Sequence, residues 1–209
     1  MRSTASLCRT SLAALAVALL AACASNQGAP SKGPEGPGGR SGGPYGQRMG
    51  RMPGDTLPQA PVNTTARADL RDINGNSVGS ITLTQTRHGV LLTGDLSSLP
   101  PGLHAIHVHD TGRCEPPFTS AGGHYNPAQR AHGFRNANGN HAGDLPNFSV
   151  GTNGTGHVEV ISRDLSLASG FGLFNPNGTS IVVHAGPDDY QTDPAGNSGN
   201  RIACGVVTR

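Results

Sequence analysis

An all-β fold is predicted for the 209-residue chain: an antiparallel sandwich or barrel of seven or eight short strands, interrupted by two long loops. Three observations carry that expectation. Short segments alternate apolar and polar residues with the period of two that turns one strand face toward a core. Turn chemistry separates these segments, and no stretch keeps a helical period over a useful length. Glycine is abundant, at 31 residues, and tryptophan is absent, which suits short strands joined by many turns.

The strands follow in order. ARADLRD, residues 66–72, leads into SVGSITLTQT, residues 77–86, across Asn74-Gly75, a dipeptide suited to the tight turn of a hairpin. GVLLTGDLS, residues 89–97, is the next run, and Leu99-Pro100-Pro101-Gly102 then breaks the chain. GLHAIHVHD, residues 102–110, reads as a strand, as do GHVEVIS at 156–162, TSIVVHA at 179–185 and RIACGVV at 201–207. Irregular stretches over roughly residues 110–155 and 185–200 separate them. Loops of that length inside a compact domain are usually functional.

The N-terminal part is different material. Arg2 and Arg9 precede an apolar run from Ser11 to Ala22, too short to span a bilayer and suited to a signal peptide over residues 1–22. The run ends in Leu20-Ala21-Ala22-Cys23, which resembles the lipobox of bacterial lipoproteins. That resemblance implies cleavage before Cys23, diacylglycerol on its sulfur, and an exported protein held at a membrane of the cell envelope. Ala24-Ser25 brings no aspartate that would favour retention at an inner membrane, so the periplasmic face of an outer membrane is preferred if the organism has one. Residues 23–61 are dominated by Gly, Pro, Ser and Gln and are expected to form a disordered tether. Residues 62–209 make one domain of ordinary size. That domain carries nine Arg and eleven acidic residues, is near neutral, and has no basic stripe that would suit nucleic acid.

The candidate chemistry lies in histidine. In HAIHVHD, His107 and His109 stand two residues apart, so a strand points both imidazoles to one face while Ile106 and Val108 take the other. The first long loop adds His124, His132 and His141 at intervals of eight and nine, with Asp144 three residues later. Three imidazoles and a carboxylate make a complete tetrahedral set for zinc. His184 comes from a later strand, and nitrogen-only ligation by several imidazoles suits copper. Cys8 leaves with the signal peptide and Cys23 would be lipidated, so Cys114 and Cys204 remain as a pair in an exported protein, which points to a disulfide. The alternative, two thiolates on a metal, competes with histidines that already fill the sites.

Taken together, GLHAIHVH, SAGGHYNP, HAGDLPN, VVHAGPDDY and GNSGNRIACGV resemble the copper–zinc superoxide dismutases, in particular the bacterial exported type, over essentially all of residues 62–209. The resemblance implies an eight-stranded Greek-key β-barrel and the conversion of two superoxide anions and two protons to dioxygen and hydrogen peroxide. It implies one copper and one zinc per subunit. Copper would fall on His107, His109, His124 and His184, and zinc on His124, His132, His141 and Asp144, with His124 bridging the two. Arg201 matches the arginine that docks the anion, Asp188 the carboxylate that links a copper histidine to a zinc histidine, and His104 a structural histidine. The implied role is protection of the cell envelope from superoxide.

This sequence departs from the pattern in one respect. No lysine is present in residues 62–209, and Asp188, Asp189 and Asp193 line the second loop with no basic residue before Arg201. Steering of superoxide by the protein's field would then fall to arginines such as Arg130 or Arg135. A copper-binding lipoprotein without turnover is the rival expectation, and a purely structural barrel is a third that leaves the ligands unexplained. Monomer and homodimer both stay open.

Overall fold

The computed structural model describes residues 58–209. The expected signal peptide, Cys23 and most of the expected tether lie outside the described residues. Among the described residues nine strands form: β1 (Thr65–Asp72), β2 (Ser77–Thr86), β3 (Gly89–Leu96), β4 (Gly102–His104), β5 (Ile106–His109), β6 (Phe148–Val150), β7 (Gly156–Ser162), β8 (Ser180–His184) and β9 (Arg201–Thr208). All pairings between them are antiparallel, in the order β4-β6-β7-β3-β2-β1-β9-β8-β5.

The two ends of that order are halves of one strand. The predicted strand at 102–110 breaks at Ala105, whose N–H donates to Gly186 O and whose carbonyl accepts from His184 N. On one side of the break β4 pairs with β6, and on the other β5 pairs with β8, so the sheet curls round into a nearly closed barrel. Counting β4 and β5 as one strand gives the eight of the predicted barrel. The eighth is β6, inside the stretch expected to be loop because three residues are too few to show a period. The link from β3 to β4 passes over β6 and β7, the crossing that defines a Greek key.

Alternation builds the core as expected. Along β1, Ala66, Ala68 and Leu70 are buried while Arg67, Asp69 and Arg71 face water. Ile81, Leu83, Leu92, Ile106, Val108 and Ile181 are wholly buried and belong to one cluster. Truncating one such leucine or isoleucine to alanine costs about 2–5 kcal/mol. The pattern fails on β5 and β8, where every residue is buried. Their outward face is covered by the two long loops, and that cover makes the site.

A buried amide fastens the start of the domain. Gln85 is fully buried, its Nε2 set against Gln59 Oε1 at 2.6 Å and the carbonyls of Thr86 and Gly89 at 3.1 Å each, while its Oε1 accepts from Leu167 N at 2.9 Å. Ser166 Oγ donates to Pro58 O. Pro58 and Gln59, inside the stretch expected to be tether, are therefore packed against the domain.

Candidate metal centre

β5 presents His107 and His109 outward while Ile106 and Val108 enter the core, as a period of two requires. The first long loop then pairs with the edge of β5 that β8 leaves free. Val108 N donates to Gly143 O, Tyr125 N donates to Val108 O, and Gly143 N donates to Tyr125 O. His124 consequently lies opposite His109, and Asp144 opposite His107. β8 supplies His184 from its last position.

Four imidazoles converge: His107, His109, His124 and His184, all buried, with ligand atoms within 4.8 Å of one another. Their inner nitrogens, His107 Nδ1 and the Nε2 atoms of His109, His124 and His184, have no hydrogen-bond partner although fully buried. Each such atom costs about 1–3 kcal/mol unless something compensates it. Four of them aimed at one point fit a cation that takes nitrogen donors. The outer nitrogens are all engaged: His107 Nε2 with Asp188 Oδ2 at 2.8 Å, His109 Nδ1 with Gly122 O at 3.1 Å, His124 Nδ1 with Asp144 Oδ1 at 2.9 Å, and His184 Nδ1 with Ser198 Oγ at 3.0 Å. The partners of His107, His109 and His184 fix each tautomer so that the inner nitrogen keeps its lone pair.

A second set shares His124. Asp144 Oδ1 lies 2.9 Å from His124 Nδ1, 3.0 Å from His132 Nδ1 and 3.3 Å from His141 Nδ1, and the last nitrogen is 3.4 Å from His124 Nδ1. A tetrahedron with arms of about 2.0–2.1 Å has edges of about 3.3 Å. Three nitrogens and an oxygen at that spacing fit zinc, and His124 offers one ring nitrogen to each set.

Asp188 ties the sets together, with Oδ2 on His107 Nε2 at 2.8 Å and Oδ1 on His132 Nε2 at 2.9 Å. It is itself clasped: Asp188 N donates to Asn147 Oδ1, Asn147 Nδ2 donates to Asp188 O, and Tyr190 N donates to Asp188 Oδ1. Gly196, at φ +63°, passes so close that a Cβ there would collide with Asp188 Oδ1. Only glycine fits both that φ and that space.

The charges divide between the sets. Burial holds His109 well below its ordinary pKa, and brings His184 down to about 3 and His124 to about 4, in the last case against the pull of Asp144. Burial lowers His107 too, against Asp188. Neutral rings are the form that binds a metal. Burial would also lower His132, but Asp144 and Asp188 on its two nitrogens prevail and raise it to about 9. Burial works to raise Asp144, yet hydrogen bonds from His124, His132 and His141 hold it well below the usual carboxylate range. Positive charge is thus wanted beside Asp144, where a cation would sit.

Arg201 opens β9 in register with His184. Its Nη1 donates to Phe118 O and its Nη2 to Gly122 O, each at 2.6 Å. Burial lowers its pKa against the favourable charge of Asp110. The loop it grips is fastened by the Cys114–Cys204 disulfide, across a sequence separation of 90, and by a small cluster of Phe118, Ala121, Val182 and Cys204. Closing a loop of that size stabilises the fold by about 4–5 kcal/mol in the chain-entropy model. His104 stays apart from both sets, bonded to His184 O and Pro100 O at 2.8 Å each. Sequence reading missed Asn147, Tyr190 and Ser198, polar loop residues with no spacing signal. Arg130 and Arg135 are exposed and join neither set.

The profile of the family described as copper/zinc superoxide dismutase (SODC) matches residues 77–207. "Superoxide dismutase [Cu-Zn] 1" of Aquifex aeolicus is 46% identical over 144 residues, spanning 67% of this chain and 85% of that protein. "Superoxide dismutase [Cu-Zn]" of Caulobacter vibrioides is 43% identical over 148 residues, spanning 68% and 85%. Among solved structures, a SOD-like protein from Bacillus subtilis superposes with a TM-score of 0.64 at 39% identity, covering 67% of this chain and 96% of that one.

Proposed function

The chain belongs to the copper/zinc superoxide dismutase family, and from that premise we propose which residues do its work and where in the cell they do it. Its reaction is the disproportionation of superoxide, two anions and two protons giving dioxygen and hydrogen peroxide, with copper and zinc as the family's cofactors. Copper is assigned to His107, His109, His124 and His184, and zinc to His124, His132, His141 and Asp144. The observation that carries the assignment is the convergence of four buried, unpartnered ring nitrogens beside an arginine.

Copper, when bound, supplies the one-electron change that the reaction needs, and zinc supplies a fixed charge. The residues supply the rest. Arg201 keeps two of its five N–H donors on Phe118 O and Gly122 O, which fixes the fork and leaves donors for an anion. His124 commits Nδ1 to the Asp144 side, so Nε2 is the atom at which a proton can be held next to the substrate. Asp188 holds His107 and His132 in fixed orientation. The four imidazoles are buried, and Arg201 beside them is half-buried.

The place of action is the cell envelope, with diacylglycerol on Cys23 and the Gly/Pro-rich stretch as tether, so that the enzyme removes superoxide at the membrane surface. The Leu20–Cys23 motif supports this reading. Metal analysis of the purified protein together with a superoxide assay tests the function. One copper and one zinc per chain with rapid turnover supports it. The same metals without turnover would instead point to a protein that stores or delivers copper.

A further inference from the structure

The outer nitrogens of three imidazoles in the first set end on three kinds of acceptor. His107 meets a carboxylate, His109 a carbonyl, and His184 a hydroxyl: Ser198 Oγ lies 3.0 Å from His184 Nδ1, nearer than Gly199 O at 3.3 Å. Ser198 Oγ in turn lies 2.8 Å from Ala195 O.

Chemistry sets the direction of this chain. Gly199 O and Ala195 O can only accept. The His184 proton therefore sits on Nδ1, and the hydroxyl proton points to Ala195, leaving an Oγ lone pair for Nδ1–H. The run is Nδ1–H to Oγ–H to carbonyl. Bonds in such a chain polarise one another, which draws on the Nδ1 proton and raises electron density at Nε2, the buried nitrogen without a partner. Ser198 is 2% exposed, so water is not a ready substitute. Its backbone is pinned to the same region, with Gly186 N donating to Ser198 O at 2.9 Å.

We propose that Ser198 is a positioning residue of the copper site: its hydroxyl holds the His184 tautomer and strengthens Nε2 as a donor. This rests on the assignment of His184 to copper. The plainer role for Ser198 is to cap its own turn through Ala195 O, and the two roles differ at the metal.

In Ser198→Ala, Nδ1–H keeps only the longer contact to Gly199. Cu(II) affinity should fall about tenfold, the low end of the effect of removing an outer partner from a metal-bound imidazole. Cu(I), less dependent on ligand basicity, should bind nearly as before, so the reduction potential rises by about 59 mV, the one-electron equivalent of tenfold. Ser198→Thr restores the hydroxyl and should return both values to wild type. Redox potentiometry, copper competition and the Cu(II) EPR spectrum of the metallated full-length protein are read for wild type, both variants and His184→Ala. An unchanged copper signal in His184→Ala would remove the ligand assignment and this proposal with it. If His184→Ala perturbs copper while Ser198→Ala matches wild type, Ser198 only caps its turn and this proposal alone is overturned. Equal shifts in the Ala and Thr variants also overturn it, because packing and not the hydroxyl would then set the potential.

Discussion

Arg201 and His109 share one acceptor: the carbonyl oxygen of Gly122 takes Arg201 Nη2 at 2.6 Å and His109 Nδ1 at 3.1 Å. A guanidinium placed by the same atom that orients an imidazole keeps a fixed relation to that ring. Gly122 belongs to the loop that the disulfide fastens, so the backbone and not the side chains sets the spacing of the pair.

Replacing Arg201 by alanine leaves every proposed ligand in place, so copper and zinc content should stay at wild-type levels. Losing a charge-assisted contact worth about 1.5–3 kcal/mol should lower kcat/KM by about one to two powers of ten. Arg201→Lys should fall between, since it keeps the charge and loses the planar fork. Added salt should slow the wild type more than the alanine variant. Equal rates for wild type and alanine at full metal loading would reduce Arg201 to a surface charge.

Asp144→Ala removes the one carboxylate of the second set. It also strands Gly133 N and His141 N, both of which donate to Asp144 Oδ2 in a buried site. Each stranded donor costs about 1–3 kcal/mol, so thermal stability should fall together with zinc affinity, the latter by about 100-fold or more given what outer partners alone contribute. Copper redox behaviour in freshly metallated protein should change less. Zinc competition and calorimetry check both, and wild-type zinc affinity in the variant would refute the ligand assignment.

On the open surface, His157 Nδ1 lies 2.6 Å from Asp95 Oδ1, across register partners of β7 and β3. That bond, with Glu159 as a lesser partner, raises the His157 pKa above its ordinary value. A raised folded-state pKa means the contribution to stability is fully present below the unfolded value of about 6.5. It fades as pH rises through the folded value. NMR titration of the His157 ring should show a midpoint above that of Asp95→Asn. The Tm difference between the two proteins should shrink as pH passes that midpoint, and a difference that widened would contradict the sign.

Cys23→Ser should move the protein from the membrane fraction to the soluble one, with the specific activity of the domain intact. Fractionation without detergent, followed by a superoxide assay on both fractions, reads the outcome. Wild-type protein found soluble would remove the anchor.

Much of the site was legible because metal ligation imposes residue types: histidines two apart on a strand, then His124, His132, His141 and Asp144 within one loop. Strands such as β1 and β2 were legible because one buried face forces alternation, whereas β5 and β8 are buried on both faces. β6 was not legible, since Phe148–Val150 is too short to carry a period, and neither was the break at Ala105 that divides one predicted strand between two partners. Asn147 and Gln85 were hidden for another reason. Each acts through backbone groups distant in the chain, such as Asp188 with Asn147 and Leu167 with Gln85, and no local pattern marks an amide for such a task.

β1 and β9 are neighbours, with Arg67 opposite Thr208 and Asp72 opposite Ala203. The first strand of the domain therefore waits for the last. A chain that emerges N-terminus first, from a ribosome or through a membrane pore, cannot close this barrel until its final residues arrive, and the same stretch brings Arg201 and Cys204. Loop-closure entropy must be met before that non-local pairing returns anything, which makes such topologies slow to fold. Up to that moment β1 offers an unpaired edge and the disulfide lacks its second thiol. Closure of the barrel, the cross-link and the placing of Arg201 thus all wait on delivery of β9.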